Sequence, residues 1–184
     1  MIAVRDADLN DASRLLDIYD HYVKNTAISF ENRTPSTEEF AGRMKEIMKH
    51  YPYLVIENDG HVEGYAYAHL FVGRDAYSYS AEMTIYLDAG SRGKGFGKIL
   101  YDELESKLKK MGITNLYACI GVPEKEDEYL TNNSQDFHHH IGYETVGVFK
   151  KCGRKFGRWY DMIWMEKCIA EHVDDPLPVE WYKR

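Results

Sequence analysis

The stretch Ser91-Arg92-Gly93-Lys94-Gly95-Phe96-Gly97-Lys98 constrains this chain more than any other. Before it, Ser80 to Asp88 alternates: Ala81, Met83, Ile85 and Leu87 point one way, Glu82, Thr84 and Tyr86 the other, as in a β-strand. After it, Phe96 to Met111 carries Leu100, Leu104, Leu108 and Met111 on one stripe, the spacing of an amphipathic helix, and Gly112 ends it. Asn115 to Gly121 then reads as a continuous apolar strand. Strand, tight loop, helix and strand in that order form a βαβ crossover, so the sheet holds at least one parallel pair.

The loop also says what it can hold. Amides at the first turn of a helix have no intrahelical acceptor, and the helix dipole adds positive potential there. Glycines let that backbone approach a bulky anion, and Arg92, Lys94 and Lys98 add full charges. A phosphate or pyrophosphate group is the expected guest. Two common phosphate loops are excluded by spacing. Gly93 to Gly97 is one residue short for G-x-x-x-x-G-K-[ST], and Ile99 stands where a hydroxyl should bind magnesium. The glycines give G-x-G-x-G, not the dinucleotide-binding G-x-G-x-x-G.

The rest of the chain supplies further elements. Ile2 to Arg5 reads as a strand and Leu9 to Lys24 as a helix with Leu15, Leu16, Ile18, Tyr19, Tyr22 and Val23 on its apolar face. Ser36 with Glu39 predicts a capping box opening a helix to about His50. Tyr53 to Glu57 and His61 to Phe71 flank the hairpin turn Asn58-Asp59-Gly60. Asn133 to Ile141 is a short helix, and Tyr143 to Lys150 and Trp159 to Glu166 are the last strands. The order β-α-α-β-β-β-α-β-α-β-β predicts one α/β (α+β) domain over residues 1–170, a mixed sheet of roughly seven strands flanked by helices. Residues 171–184, with Pro176 and Pro178, are an extended or wrapped C-terminal tail.

Charge decides the partners. The net charge of −7 disfavours nucleic acid and anionic membrane. Positive charge is concentrated in the glycine loop and in Lys150, Lys151, Arg154, Lys155 and Arg158, so an anion should bind at one of these two places. The second stretch reads as a solvated hairpin or as a contact to substrate or a partner subunit. Cys119, Cys152 and Cys168 form no C-x-x-C pair, no apolar run reaches 18 residues, and the N-terminus has no signal-like core, so a cytoplasmic protein is expected. His138-His139-His140 does not predict a metal site, because successive helical residues diverge by about 100°.

Arg92-x-x-Gly95-x-Gly97 resembles the [QR]-x-x-G-x-[GA] acyl-CoA loop of the GNAT N-acetyltransferase superfamily, and Ile141-Gly142-Tyr143 resembles that family's [LI]-G-[FY] helix ending. Ile28-Ser29-Phe30-Glu31, Tyr51 to Val55, Gly64 to Ala68, Arg74-Asp75-Ala76-Tyr77 and Glu82 to Tyr86 are similar to the phosphinothricin/methionine-sulfoximine subgroup. The similarity spans roughly residues 2–168. It implies a GNAT fold, acetyl-CoA as cofactor and direct transfer, without a cysteine nucleophile, to the α-amine of a small amino acid or analogue. It also implies a homodimer. A protein N-terminus, polyamine or aminoglycoside acceptor, or an acyl-CoA sensor without turnover, stays open at this point.

Acetyl transfer to an amine needs a base, stabilisation of the thioester oxygen and an exit for the thiolate. Glu82, on the polar face of an otherwise apolar strand and matching the subgroup's glutamate, is the candidate base. The resemblance implies that the strand at Ile85, Tyr86 and Leu87 splays from its neighbour and offers amides to the cofactor, and that Arg92, Gly93, Lys94, Gly95, Phe96, Gly97 and Lys98 hold its phosphates. Counting back from Gly142 puts the family's helix-start serine on Ser134 and its proton donor on His138. The asparagine position falls on Thr131, with Asn132 and Asn133 one and two residues late; Asn133 and Ser134 are the candidate contacts. Arg74 is the candidate clamp for a substrate carboxylate, with Tyr77 and Phe30 lining the same pocket.

Overall fold

A computed structural model of the chain describes residues 1–182; the last two residues of the tail, 183 and 184, lie outside the described residues. Seven strands form one sheet: β1 (Ile2–Asp6), β2 (Tyr53–Asn58), β3 (His61–Leu70), β4 (Ser80–Leu87), β5 (Asn115–Val122), β6 (Glu144–Lys155) and β7 (Arg158–Cys168). Their order is β1-β2-β3-β4-β5-β7-β6. Every pairing is antiparallel except β4 with β5, the crossover expected around the glycine loop. The helices are α1 (Ala12–Asn25), α2 (Thr37–Ile47), α3 (Phe96–Met111) and α4 (Asn133–His140).

The alternation of β4 divides two cores. Ala81 and Met83 pack with Leu100, Leu104 and Leu108 of α3 on one face of the sheet. On the other face Leu15, Ile18 and Tyr22 of α1 and Phe40 and Met44 of α2 cover Tyr53, Val55 and Tyr65. The Ser36–Glu39 capping box forms as predicted. The first helix begins later than its apolar spacing suggests: Asp8 caps a 3₁₀ turn over Leu9–Asp11, and the α-helix starts at Ala12.

The final hairpin departs most from expectation. β6 runs through the basic stretch to Lys155, and only Phe156-Gly157, both at positive φ, turn the chain. The register jumps between Phe149 and Gly153, where Lys151 also takes a positive φ. The basic stretch forms an exposed hairpin, as one of its two readings had it, and most of its bases are paired within the chain. Lys150 pairs with Asp161 at 2.7 Å, Lys151 with Glu124 at 3.6 Å, and Arg158 with Asp127 and Glu128 at 2.9 and 2.8 Å. Lys155 is buried and donates to the Ser29 carbonyl at 2.5 Å. Those partners come from other parts of the chain, so a count along the stretch could not reveal them. Trp159 is 57% exposed and lies beside the Arg154 guanidinium.

The tail wraps back over α3. Glu180 donates its amide to the Met111 carbonyl, and the Tyr182 amide reaches the His50 carbonyl. The Tyr182 hydroxyl donates to Asp6 of β1 at 2.8 Å and accepts from Lys107 of α3 at 2.8 Å.

Candidate active site

β4 and β5 pair over only three rungs, Ser80↔Asn115, Ala81↔Leu116 and Glu82↔Tyr117. Beyond Glu82 they separate, though β4 continues to Leu87 and β5 to Val122. The gap becomes a cleft of about 440 Å³ that passes through the sheet. Glu82, Thr84 and Tyr86 line it from one face; Tyr101, Ser134 and His138 line it from the other.

The hydrogen-bond alternation shows which amides face the gap. Asp88 donates to the Glu63 carbonyl of β3, so Glu82, Thr84 and Tyr86 turn their amides to β3, and Met83, Ile85 and Leu87 turn theirs to β5. Of the three residues expected to offer backbone to the cofactor, Tyr86 is thus spent on β3. Leu87 is engaged by the Tyr22 hydroxyl, which donates to its carbonyl at 2.5 Å and accepts from its amide at 3.3 Å. Ile85 is the one with backbone facing the gap.

Glu82 sits where the strands part. Its side chain is 21% exposed, and burial raises its pKa from 4.5 to about 7 by disfavouring the charged form. His69, its partner in β3, places Nε2 at 3.7 Å from the carboxylate. His69 Nδ1 lies 3.1 Å from the Leu70 carbonyl, which can only accept, so Nδ1 carries the proton and Nε2 presents a lone pair toward Glu82. Burial lowers the His69 pKa and keeps that ring neutral. His69 was not legible as a site residue, because its place depends on the register between β3 and β4.

His138, expected to protonate the leaving thiolate, has no spare proton on the cleft. It is 3% exposed, with burial lowering its pKa to about 4. Nδ1 donates to the Ser134 carbonyl at 2.7 Å, so Nε2 is bare and accepts from the Tyr101 hydroxyl at 2.9 Å. Tyr101, on the apolar face of α3, is likewise buried and lines the cleft. The two form a fixed neutral unit. Ser134 lines the cleft as expected, whereas the Asn133 side chain is exposed on the first turn of α4. His139 and His140 point elsewhere: His139 reaches the Tyr143 carbonyl and His140 is exposed.

The glycine loop takes the geometry its sequence predicts. Gly93 and Gly95 have φ of 74° and 81°, and Gly95 precedes the first residue of α3. The first intrahelical donor is Ile99, to the Gly95 carbonyl, which leaves the Phe96, Gly97 and Lys98 amides without a helical acceptor. Gly97 has an ordinary helical backbone but no room: a Cβ there would meet the Phe137 ring at 3.1 Å. The three bases are less free than their spacing suggests. Arg92 lies over the Tyr22 ring at 5.1 Å, Lys94 near the Phe96 ring at 6.0 Å, and Lys98 pairs with Asp102 at 2.5 Å.

Phe30 enters the cleft as expected and lies against Gly121 of β5 and Gly153 of β6; a Cβ at Gly121 would approach its ring to 2.8 Å. Arg74 and Tyr77 do not join it. Both are exposed on the connection between β3 and β4, and among the described residues Arg74 has no acidic partner. Cys119 lines the cleft, but burial lifts its pKa to about 11, which keeps the thiol protonated and weakly nucleophilic.

A family model described as an acetyltransferase (GNAT) domain matches residues 4–164. The phosphinothricin N-acetyltransferase of Streptomyces coelicolor is 31% identical over 170 residues, covering 90% of this chain and 95% of that protein. The L-methionine sulfoximine/L-methionine sulfone acetyltransferase of Salmonella typhimurium is 30% identical over 173 residues, covering 94% and 97%. The structure of a GNAT phosphinothricin acetyltransferase from Sinorhizobium meliloti in complex with acetyl-CoA superposes with a TM-score of 0.85 at 32% identity, covering 100% of this chain and 99% of that one.

Proposed function

The chain belongs to the GNAT acetyltransferase family, and from that premise we propose that it moves an acetyl group from acetyl-CoA to the α-amine of a small amino acid or a close analogue. One observation carries the reading: the three-rung junction of β4 and β5 opens a gap bounded by a desolvated carboxylate and an unpaired strand edge, with a glycine-rich helix start packed beside Ile85. These parts fit a cofactor with a pyrophosphate at one end and amide groups along an extended arm. The Phe96 to Lys98 amides would take the pyrophosphate, and the Ile85 edge would pair with the arm. When bound, acetyl-CoA supplies the thioester carbonyl that the amine attacks.

The residues of the chain then have separate tasks. Glu82, ionised above about pH 7, takes the ammonium proton directly or through water held beside His69. The Ile85 amide faces the space where charge develops. Tyr101 and His138 form a rigid wall and keep that wall uncharged. Arg74, exposed on the connection between β3 and β4 and outside the cleft lining, is the residue proposed to clamp the acceptor carboxylate.

Screening amines with acetyl-CoA for thiol release tests the reading. Turnover should be confined to α-amino acids and analogues, and none on any amino acid would sink it. Arg74→Ala should raise KM about tenfold for amino acids and leave KM for the matching amines without a carboxylate unchanged, since a charge-assisted pair is worth roughly 1.5–3 kcal/mol. An equal effect on both acceptor types would remove Arg74 from the site.

The domain is proposed to span residues 1–170, with the tail as a strap on it. It is also proposed to work as a homodimer. Val146, Val148, Phe149 and Trp159, on β6 and β7, are each about half exposed, and Val148 and Trp159 lie on the same face of the ribbon, apolar area that a second copy would cover. Sedimentation should give twice the 21.4 kDa chain mass, and Val148→Glu with Trp159→Glu should halve it. A wild-type monomer at micromolar concentration would end the proposal. No described helix is long and apolar enough to cross a membrane. Three free cysteines support a reducing, cytoplasmic setting.

A further inference from the structure

A second, smaller cavity of about 70 Å³ adjoins the cleft beneath α1 and α2. Tyr19, Glu31, Tyr67 and Tyr86 belong to both linings. Its inner wall is made by Tyr53 and Tyr65, neighbours across β2 and β3.

The rings spend their faces on one another. Tyr53 stacks on Tyr67 at 4.6 Å and on Tyr65 at 5.8 Å, and Tyr65 lies 5.6 Å from Tyr86. Little aromatic face is left for a cation, so the hydroxyls are what the wall offers. Tyr53 and Tyr65 are each 1% exposed, yet among the described residues neither hydroxyl has a side-chain or backbone partner. Nor are these oxygens sealed in. Among the described residues, the Tyr51 hydroxyl is the one fully enclosed side-chain polar atom without a partner. The small reachable surface of Tyr53 and Tyr65 therefore includes their hydroxyls, and both residues line this cavity. Phenylalanine would pack equally well at both positions without burying an unpaired polar group.

The polarity is specific. Burial holds both phenols well above their ordinary pKa, so they remain neutral hydrogen-bond donors. Glu31 and Arg43 pair at 2.5 Å on the same wall and cancel each other's charge. A tip with a full charge would find no counter-ion there. The space admits more than one water-sized group.

We infer that this cavity is the side-chain subsite for the acceptor, and that Tyr53 and Tyr65 select a short side chain ending in an uncharged group with oxygen acceptors, such as a sulfone or an amide. The inference rests on the amino-acid reading proposed above. The acceptor carries its α-amine to Glu82 and passes its side chain by Tyr67 and Tyr86, which border both spaces.

L-methionine and L-methionine sulfone differ by two oxygens and probe this directly. The wild type should favour the sulfone in kcat/KM. Tyr53→Phe with Tyr65→Phe should cut kcat/KM for the sulfone about tenfold or more and leave it for methionine within about twofold, so that the preference collapses. Each single substitution should produce part of the loss, which covers the case of a poorly folded double variant. If both acceptors fall together, the phenols only pack; if neither falls, the cavity holds water alone; either result overturns the subsite. Wild-type turnover of neither amino acid would overturn the parent reading along with it.

Discussion

Glu82→Gln should lower kcat by about 10²- to 10⁴-fold, the usual contribution of a positioned general base. The substitution keeps the shape and removes a carboxylate that burial already disfavours, so neither folding nor acetyl-CoA affinity should change. Calorimetric titration of acetyl-CoA against the variant checks the second point. The pH profile gives an independent readout. The base works only when ionised, and its pKa is raised to about 7, so wild-type kcat/KM should climb with pH through about 7 and level off above it. The acceptor amine also titrates, but its pKa changes from one acceptor to another. An inflection near 7 shared by acceptors of different amine pKa, and missing in Glu82→Gln, belongs to this carboxylate. Full activity in the variant would remove Glu82 from proton transfer.

Gly95→Val should weaken acetyl-CoA binding about tenfold or more, which is at least 1.4 kcal/mol. The cause is backbone conformation, not space. A Cβ at Gly95 would meet nothing within 4 Å, but φ is 81° immediately before α3. A β-branched residue resists that region, and holding it there costs roughly 1–3 kcal/mol. Relaxing the strain re-aims the Phe96 to Lys98 amides, which are the proposed anion site. Gly95→Asn separates the two explanations, because asparagine brings a larger side chain but tolerates left-handed φ. Binding should be largely kept in Gly95→Asn and lost in Gly95→Val; equal loss in both would mean that the loop needs room after all. Gly97 is the opposite case, with an ordinary φ and the Phe137 ring against it.

What the sequence made legible follows from the range over which each feature is determined. The glycine loop, the Ser36–Glu39 cap and the alternation in β4 are set within a few residues, and all three stand in the structure. The parallel pairing of β4 and β5 follows from one crossover. Glu82 was visible because an acid in a strand of apolar residues is itself a local anomaly. His69 was not, since only the register of β3 on β4 brings it to Glu82. Tyr101 was hidden in the apolar stripe of α3, and its hydroxyl acquires meaning only when α4 packs His138 against it. The Tyr22 hydroxyl reaches Leu87 across 65 positions. The acids that pair with Lys150, Lys151 and Arg158 lie outside the second basic stretch, at 161, 124, 127 and 128. Tyr182 of the tail could not be placed without Asp6 and Lys107, at the other end of the chain and on α3.

The parting of β4 from β5 also bears on how the protein survives. Hydrogen bonding across the middle of the sheet is confined to one end, so β1 to β4 and β5 to β7 are two half-sheets joined at a narrow seam. A ligand that fills the gap closes the seam from the open end. Because such a ligand binds the folded chain and not the unfolded one, it adds RT ln(1 + [L]/Kd) to stability. On the function proposed above, the folded chain should therefore melt at a higher temperature with acetyl-CoA present, by an amount that grows with the concentration of the donor.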